Sequence, residues 1–123
     1  MNKILKEYLE SLHEKRDIYN TIHIYKRDLI KLFNEDIGEN NKKQIIDFLR
    51  RSELDNISLL QRLKYLHSIR SLLRHNLREF AEYSEEDLIQ FLHFMRKYSP
   101  KTRDIRWFCI IKFFTFLGRE HTF

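Results

Sequence analysis

The stretch SLLQRLKYLHSIRSLLRHNL, residues 58–77, decides how this chain folds. Leu59, Leu63, Leu66, Ile69, Leu73 and Leu77 recur every three or four positions, the period of one face of an α-helix. Ser58, with Gln61 three residues on, has the form of a helix start, a short polar side chain capping a free backbone N–H and a longer one reaching back. The spacing predicts one long helix from Ser58 to about Leu77, with the leucine stripe as its core face. Beside the stripe, Lys64, His67, Arg70, Ser71, Arg74, His75 and Arg78 fall within about 140° of one another on the helical wheel. No acidic residue occurs from Asn56 to Arg78. A solvated face normally mixes signs to gain pairs one turn apart, so a face of one sign repels itself unless a polyanion neutralises it. Two readings stand side by side: a basic face merely exposed to water, and a nucleic-acid contact. The second suits a helix about 30 Å long, because the DNA major groove admits a helix.

Outward from this segment the same period continues, and with two Gly and one Pro in 123 residues little interrupts it. A first helix is expected over about residues 3–15, with Ile4, Leu5, Tyr8, Leu9 and Leu12 apolar and a break or bend at Asp17 to Thr21. A second runs from Thr21 to about Asn34, carries Ile22, Tyr25, Leu29, Ile30 and Phe33 on one stripe, and ends near Gly38. Asn41 with Gln44 is read as the cap of a short helix to about Arg51, and Ser84 with Asp87 as the cap of another to Tyr98. Ser99-Pro100 opens the last helix, which runs to Gly118 and is apolar enough to be largely buried. The fold class is therefore all-α, four capped helices behind a two-helix leader.

Composition excludes several functions. Two glycines cannot build a phosphate-cradling nucleotide loop, and a lone Cys109 rules out disulfide frameworks and cysteine zinc sites. No run is apolar enough for a membrane span or a signal peptide, so a soluble, cytoplasmic protein with no membrane partner is expected. The formal charge of +5 is unevenly placed. Residues 1–36 carry seven basic and seven acidic side chains, and 37–56 carry four of each. Residues 57–83 hold five basic against two acidic, and 99–123 again five against two, so two separated segments carry the surplus.

The second of those segments has Ser99, Lys101, Thr102 and Arg103 in the first turn of the last helix and Arg106 one turn on. Free backbone N–H groups, hydroxyls and cations together suit a phosphate, although an ordinary cap with solvated cations reads equally well. The aromatic residues sit mostly at core spacing, so no base-stacking platform is expected. Tyr8, Tyr25 and Tyr65 read as core-edge rings with wetted hydroxyls. Four histidines begin a His-x-x-Arg: His13, His67, His75 and His93. No further catalytic partner accompanies them in sequence, and His67 and His75 are not at metal-ligand spacing, so neither catalysis nor a metal is assigned to them.

From Asn41-Lys-Lys-Gln-Ile-Ile-Asp-Phe48, through Ile57-Ser58 with Arg62, Tyr65-Leu66, Ile69-Arg70 and Leu73, to Ser84-Glu-Glu-Asp87-Leu88 and Ser99-Pro-Lys-Thr102 with Ile111-Lys-Phe-Phe114, the chain resembles the SAM-like core-binding domain of tyrosine recombinases and phage-type integrases, in an archaeal flavour. The resemblance covers about residues 41–120. It implies a four-helix bundle forming half of a clamp on double-stranded DNA, its second and fourth helices facing the groove and backbone. Carried over by position, those helices supply Arg62, Lys64, His67, Arg70 and Arg74, then Lys101, Thr102, Arg103 and Arg106, and Arg78 of the basic face is expected to contact DNA beside them. The family's catalytic domain, with its nucleophilic tyrosine, would follow Gly118, so this chain is expected to bind DNA without cutting it.

The expected organisation is a leader over 1–40 and a core-binding domain over 41–120, one compact unit overall. The leader packs on the bundle or mediates a homo-oligomer on DNA. No cofactor and no small-molecule substrate are expected. The alternative is a helical protein-interaction or dimerisation module whose basic face meets an acidic protein.

Overall fold

The computed structural model describes residues 2–12 and 20–118. Among them are six α-helices and no strand: α1 Lys3–Ser11, α2 Thr21–Phe33, α3 Glu39–Leu54, α4 Leu59–His75, α5 Glu85–Phe94 and α6 Pro100–Phe116. Short 3-10 turns, Phe80–Glu82 and Met95–Lys97, flank α5. The chain is an all-α helical bundle, as the periodicity predicts. The expected extension of the first helix to residue 15, the break from Asp17 and the His13 pair lie outside the described residues.

The serine caps at Ser58, Ser84 and Ser99 form, but Gln61 does not reach back to Ser58 as expected: its Nε2 donates to Cys109 Sγ at 3.8 Å. Ser58 Oγ accepts from Gln61 N at 3.1 Å, and Ser99 Oγ accepts from Thr102 N at 3.2 Å ahead of Pro100. Ser84 and Asp87 make the full reciprocal box, Asp87 N to Ser84 Oγ at 3.1 Å and Ser84 N to Asp87 Oδ2 at 2.9 Å. Asn2 also caps α1, accepting from Ile4 N and Leu5 N.

The cap read at Asn41 is corrected. α3 begins three residues earlier than an Asn41 cap implies, at Glu39 behind Gly38 at φ 87°, and runs three residues past Arg51. Nothing lies within 4 Å of a Cβ placed on Gly38, so backbone conformation rather than space is what requires glycine there. Asn41 is buried in the first turn, where Nδ2 donates to Ile37 O and Arg78 O, each at 2.8 Å, and Oδ1 accepts from Phe80 N at 3.1 Å. A buried amide joins three backbone groups, tying the start of α3 to the segment after α4. The far end of α3 closes with Asn56 in the left-handed region at φ 60°, Asn56 N bonding Glu53 O and Ile57 N bonding Ser52 O, a Schellman arrangement.

α4 is the central helix. It packs on α2, α3, α5 and α6, most extensively on α6. Its buried face is wider than the single leucine stripe, because Arg62, Tyr65, Ser68 and Leu72 are covered as well. The predicted end at Leu77 is corrected: the helix stops at His75, Asn76 turns to extended backbone, and Leu77 leaves the stripe, 55 % exposed. The Asn76 carbonyl instead accepts the Tyr83 hydroxyl.

One hydrophobic core runs from Leu5 in α1 to Phe114 in α6, so the two leader helices pack on the bundle. The Tyr8 and Tyr25 hydroxyls meet at 2.6 Å in the interior, and burial pushes both phenols above their ordinary range. The expectation of wetted hydroxyls fails at both positions. α6 is less covered than its composition suggests: Cys109, Ile110, Phe113 and Phe114 are buried, whereas Phe108 is 50 % exposed and Phe116 is exposed too.

Candidate nucleic-acid interface

Where α4 crosses α6 the two basic segments meet. A cleft of about 500 Å³ is lined by His67, Arg70, Ser71, Arg74 and His75 from α4, by Arg106 from α6, by Phe94 at the end of α5, and by Tyr98 from the connection that follows it. The α4 residues share the face beside the leucine stripe, so burying the stripe against α6 turns this row toward the α6 entrance.

Aromatic rings of the cleft hold two cations, Arg106 and the neighbouring Lys97. The Arg106 guanidinium lies 4.7 Å from the Tyr98 ring centroid, and Lys97 Nζ lies 3.9 Å from the Phe94 centroid and 5.3 Å from that of Tyr98. The His75 ring sits 4.6 Å from Phe94 on a tilted contact. Such contacts fix long side chains that otherwise lose rotamer freedom on binding. With cations and an imidazole against these rings, they orient charge and are not bare stacking surfaces.

Acids from α2 and from the turn after it answer part of the basic row. His67 Nε2 bonds Asp28 Oδ2 at 2.6 Å, and Arg74 Nη2 bonds Glu35 Oε1 at 2.7 Å. Asp28 also accepts from Arg27 Nε at 3.1 Å. Burial alone would raise the Asp28 carboxyl, but the hydrogen bonds and charges of His67 and Arg27 outweigh it and hold the group below its ordinary range. The self-repulsion expected of the one-sign face is thus partly relieved inside the molecule.

Of the ten residues expected to contact DNA, His67, Arg70, Arg74 and Arg106 are brought together in this cleft. Arg62 is corrected to a core residue. It is 3 % exposed, donates through Nε to Ile57 O at 3.2 Å, lies 3.7 Å from Glu53 Oε2, and sits with its guanidinium 5.8 Å from the Tyr25 ring. Lys64 lines a separate, more apolar hollow with Tyr65, Ile105 and Phe108, and Arg103 lines a third with His93 and Arg96. Arg78 pairs with Asp87 at 3.4 Å beyond the end of α4. Lys101 is exposed at the α6 entrance, while Thr102 Oγ1 accepts from Ser99 Oγ at 3.1 Å.

The sequence reading missed Phe94, Lys97 and Tyr98, although the alternation Phe94-Met-Arg-Lys-Tyr98 interleaves aromatic and basic residues just ahead of α6. It also missed Asp28 and Glu35, which reach the basic row only because α2 docks on α4 and carries the turn after it alongside. No protein-family model, curated protein or solved structure matches this chain. Among the described residues no helix is long and apolar enough to cross a membrane, and no group of three His, Cys, Asp or Glu is placed to hold a metal ion.

Proposed function

We propose that this chain binds double-stranded DNA through the α4–α6 cleft, as the core-binding module of a site-specific tyrosine recombinase or phage-type integrase. The single observation carrying the DNA reading is that Arg70 and Arg74, from one basic segment, line the same hollow as Arg106, from the other. Guanidiniums gathered in one place raise the local potential and favour a polyanion, and each phosphate they neutralise releases counterions. The recombinase assignment rests on the short motifs between residues 41 and 120. Under this reading the cleft holds and positions the duplex, and strand cleavage belongs to a separate catalytic domain.

The test is a fluorescence-anisotropy titration of a labelled duplex at several salt concentrations. Arg70→Glu combined with Arg106→Glu is expected to weaken binding at least about tenfold, since it reverses two phosphate-facing charges. Unchanged affinity in that variant sinks the reading.

Exposed Phe108 beside the apolar hollow favours a second reading, a helical protein-interaction or dimerisation module. Sedimentation of the wild type and of Phe108→Ser separates the two. A dimer that dissociates on this substitution supports the interaction module.

A further inference from the structure

Two acid–base rungs join α4 to the leader, one from Asp28 in α2 and one from Glu35, two residues past the end of that helix. Asp28 bonds His67 and Glu35 bonds Arg74, and along α4 those two partners stand two helical turns, or about 10 Å, apart. Their surroundings differ. The Asp28 side chain is 6 % exposed and is also held by Arg27, whereas Glu35 and Arg74 are 34 % and 53 % exposed. A shielded carboxylate with two partners stays in place, while an open ion pair adds little stability and exchanges readily.

We infer that Glu35 is an internal stand-in for phosphate and that Arg74 is an exchange site, where a DNA phosphodiester takes the carboxylate's place; this rests on the duplex-binding reading above. A phosphate offers Arg74 the same charged oxygen acceptors as a carboxylate. A phosphate seated in the cleft also faces Arg70 and Arg106, which line the same hollow, whereas Glu35 pairs with Arg74. The exchange therefore runs toward the polyanion when it is present and back to Glu35 when it is not. Binding through Arg74 is weakened by the displacement of its internal partner, so Glu35 sets the threshold at which the cleft accepts DNA. The rung from Asp28 to His67 remains closed and keeps α2 docked on α4 throughout.

The experiment compares wild type, Glu35→Gln, Asp36→Asn and the pair Arg74→Gln with Glu35→Gln, using the same labelled duplex over a salt series. Asp36 is the adjacent exposed acid and removes the same charge beside the exchange site. Glu35→Gln is expected to tighten binding about two- to fivefold, the value of an exposed ion pair, and by more than Asp36→Asn does. Its log–log salt dependence should steepen by up to about 0.9, one further uncompensated phosphate contact. Adding Arg74→Gln should abolish the gain. Equal gains in Glu35→Gln and Asp36→Asn, no gain, or a gain that survives Arg74→Gln overturns the exchange site, and does so while wild-type binding and its loss in the Arg70 and Arg106 variant leave the duplex reading standing. If neither wild type nor Glu35→Gln binds the duplex, the reading and the inference fall together. Melting curves for all four proteins confirm that equal folded fractions are compared.

Discussion

His67 on α4 and Asp28 on α2 share a 2.6 Å hydrogen bond that joins the leader to the central helix. Because Asp28 holds its proton less tightly in the folded chain than in the unfolded one, its carboxylate adds stability above the ordinary Asp value of 3.8. That contribution is lost as the pH falls below 3.8 and through the depressed folded value. Thermal unfolding should show Asp28→Asn less stable than wild type near about pH 7, with a shallower loss of stability below about pH 4. Parallel acid profiles for the two proteins would remove this role from the carboxylate.

Arg62 and Arg70 stand two turns apart on α4 with opposite environments, the first in the core and the second in the cleft. Arg62→Ala is expected to cost about 2–3 kcal/mol of stability, since it strips a buried cation from the Ile57 carbonyl and from Glu53. Duplex affinity of the folded protein should not change. Arg70→Ala should do the reverse, leaving stability within about 0.5 kcal/mol and weakening binding. Denaturant melts paired with anisotropy titrations measure both columns of this comparison, and a loss of affinity without loss of stability in Arg62→Ala would falsify its placement in the core.

Asn41 is the second buried polar residue whose loss should be expensive. Its amide joins the Ile37 and Arg78 carbonyls and the Phe80 N–H, and alanine leaves all three without this partner in the interior. We expect Asn41→Ala to destabilise by about 2–4 kcal/mol. Asn41→Asp should be at least as harmful, because a carboxylate cannot donate to the two carbonyls. A midpoint shift under about 0.5 kcal/mol in urea unfolding would contradict the cross-link.

Tyr98 lies under the Arg106 guanidinium. Removing the ring in Tyr98→Ala frees Arg106 to sample other rotamers, and duplex affinity should fall about two- to fivefold, in line with a surface cation–π contact. Tyr98→Phe keeps the ring and should bind as wild type does. If the phenylalanine variant weakens as much as the alanine one, the hydroxyl, not the ring face, is what the cleft uses.

Helix period and caps made most of the fold legible. The leucine recurrence from Leu59, the box at Ser84 and Asp87, and Ser99-Pro100 each specify a local backbone state through groups a few residues apart. Asn41 misled for the same reason: its spacing to Gln44 is that of a cap, but its amide is used by backbone groups up to 39 residues away. Gly38, read as the end of the second helix, stands directly before α3 in a positive-φ conformation and so marks a start instead.

The candidate site divides in the same way. By itself the sequence determined an all-helical chain, two basic segments and their place on two helices, because charge and periodicity are properties of neighbours along the chain. Tertiary structure decided which cations face water. Packing α4 on α6 put Arg70, Arg74 and Arg106 in one cleft, while the docking of α2 and α3 buried Arg62 and set Asp28 and Glu35 against the basic row. Coulomb energy and desolvation depend on distance in space and on burial, and for residues 39 positions apart neither follows from position in the chain.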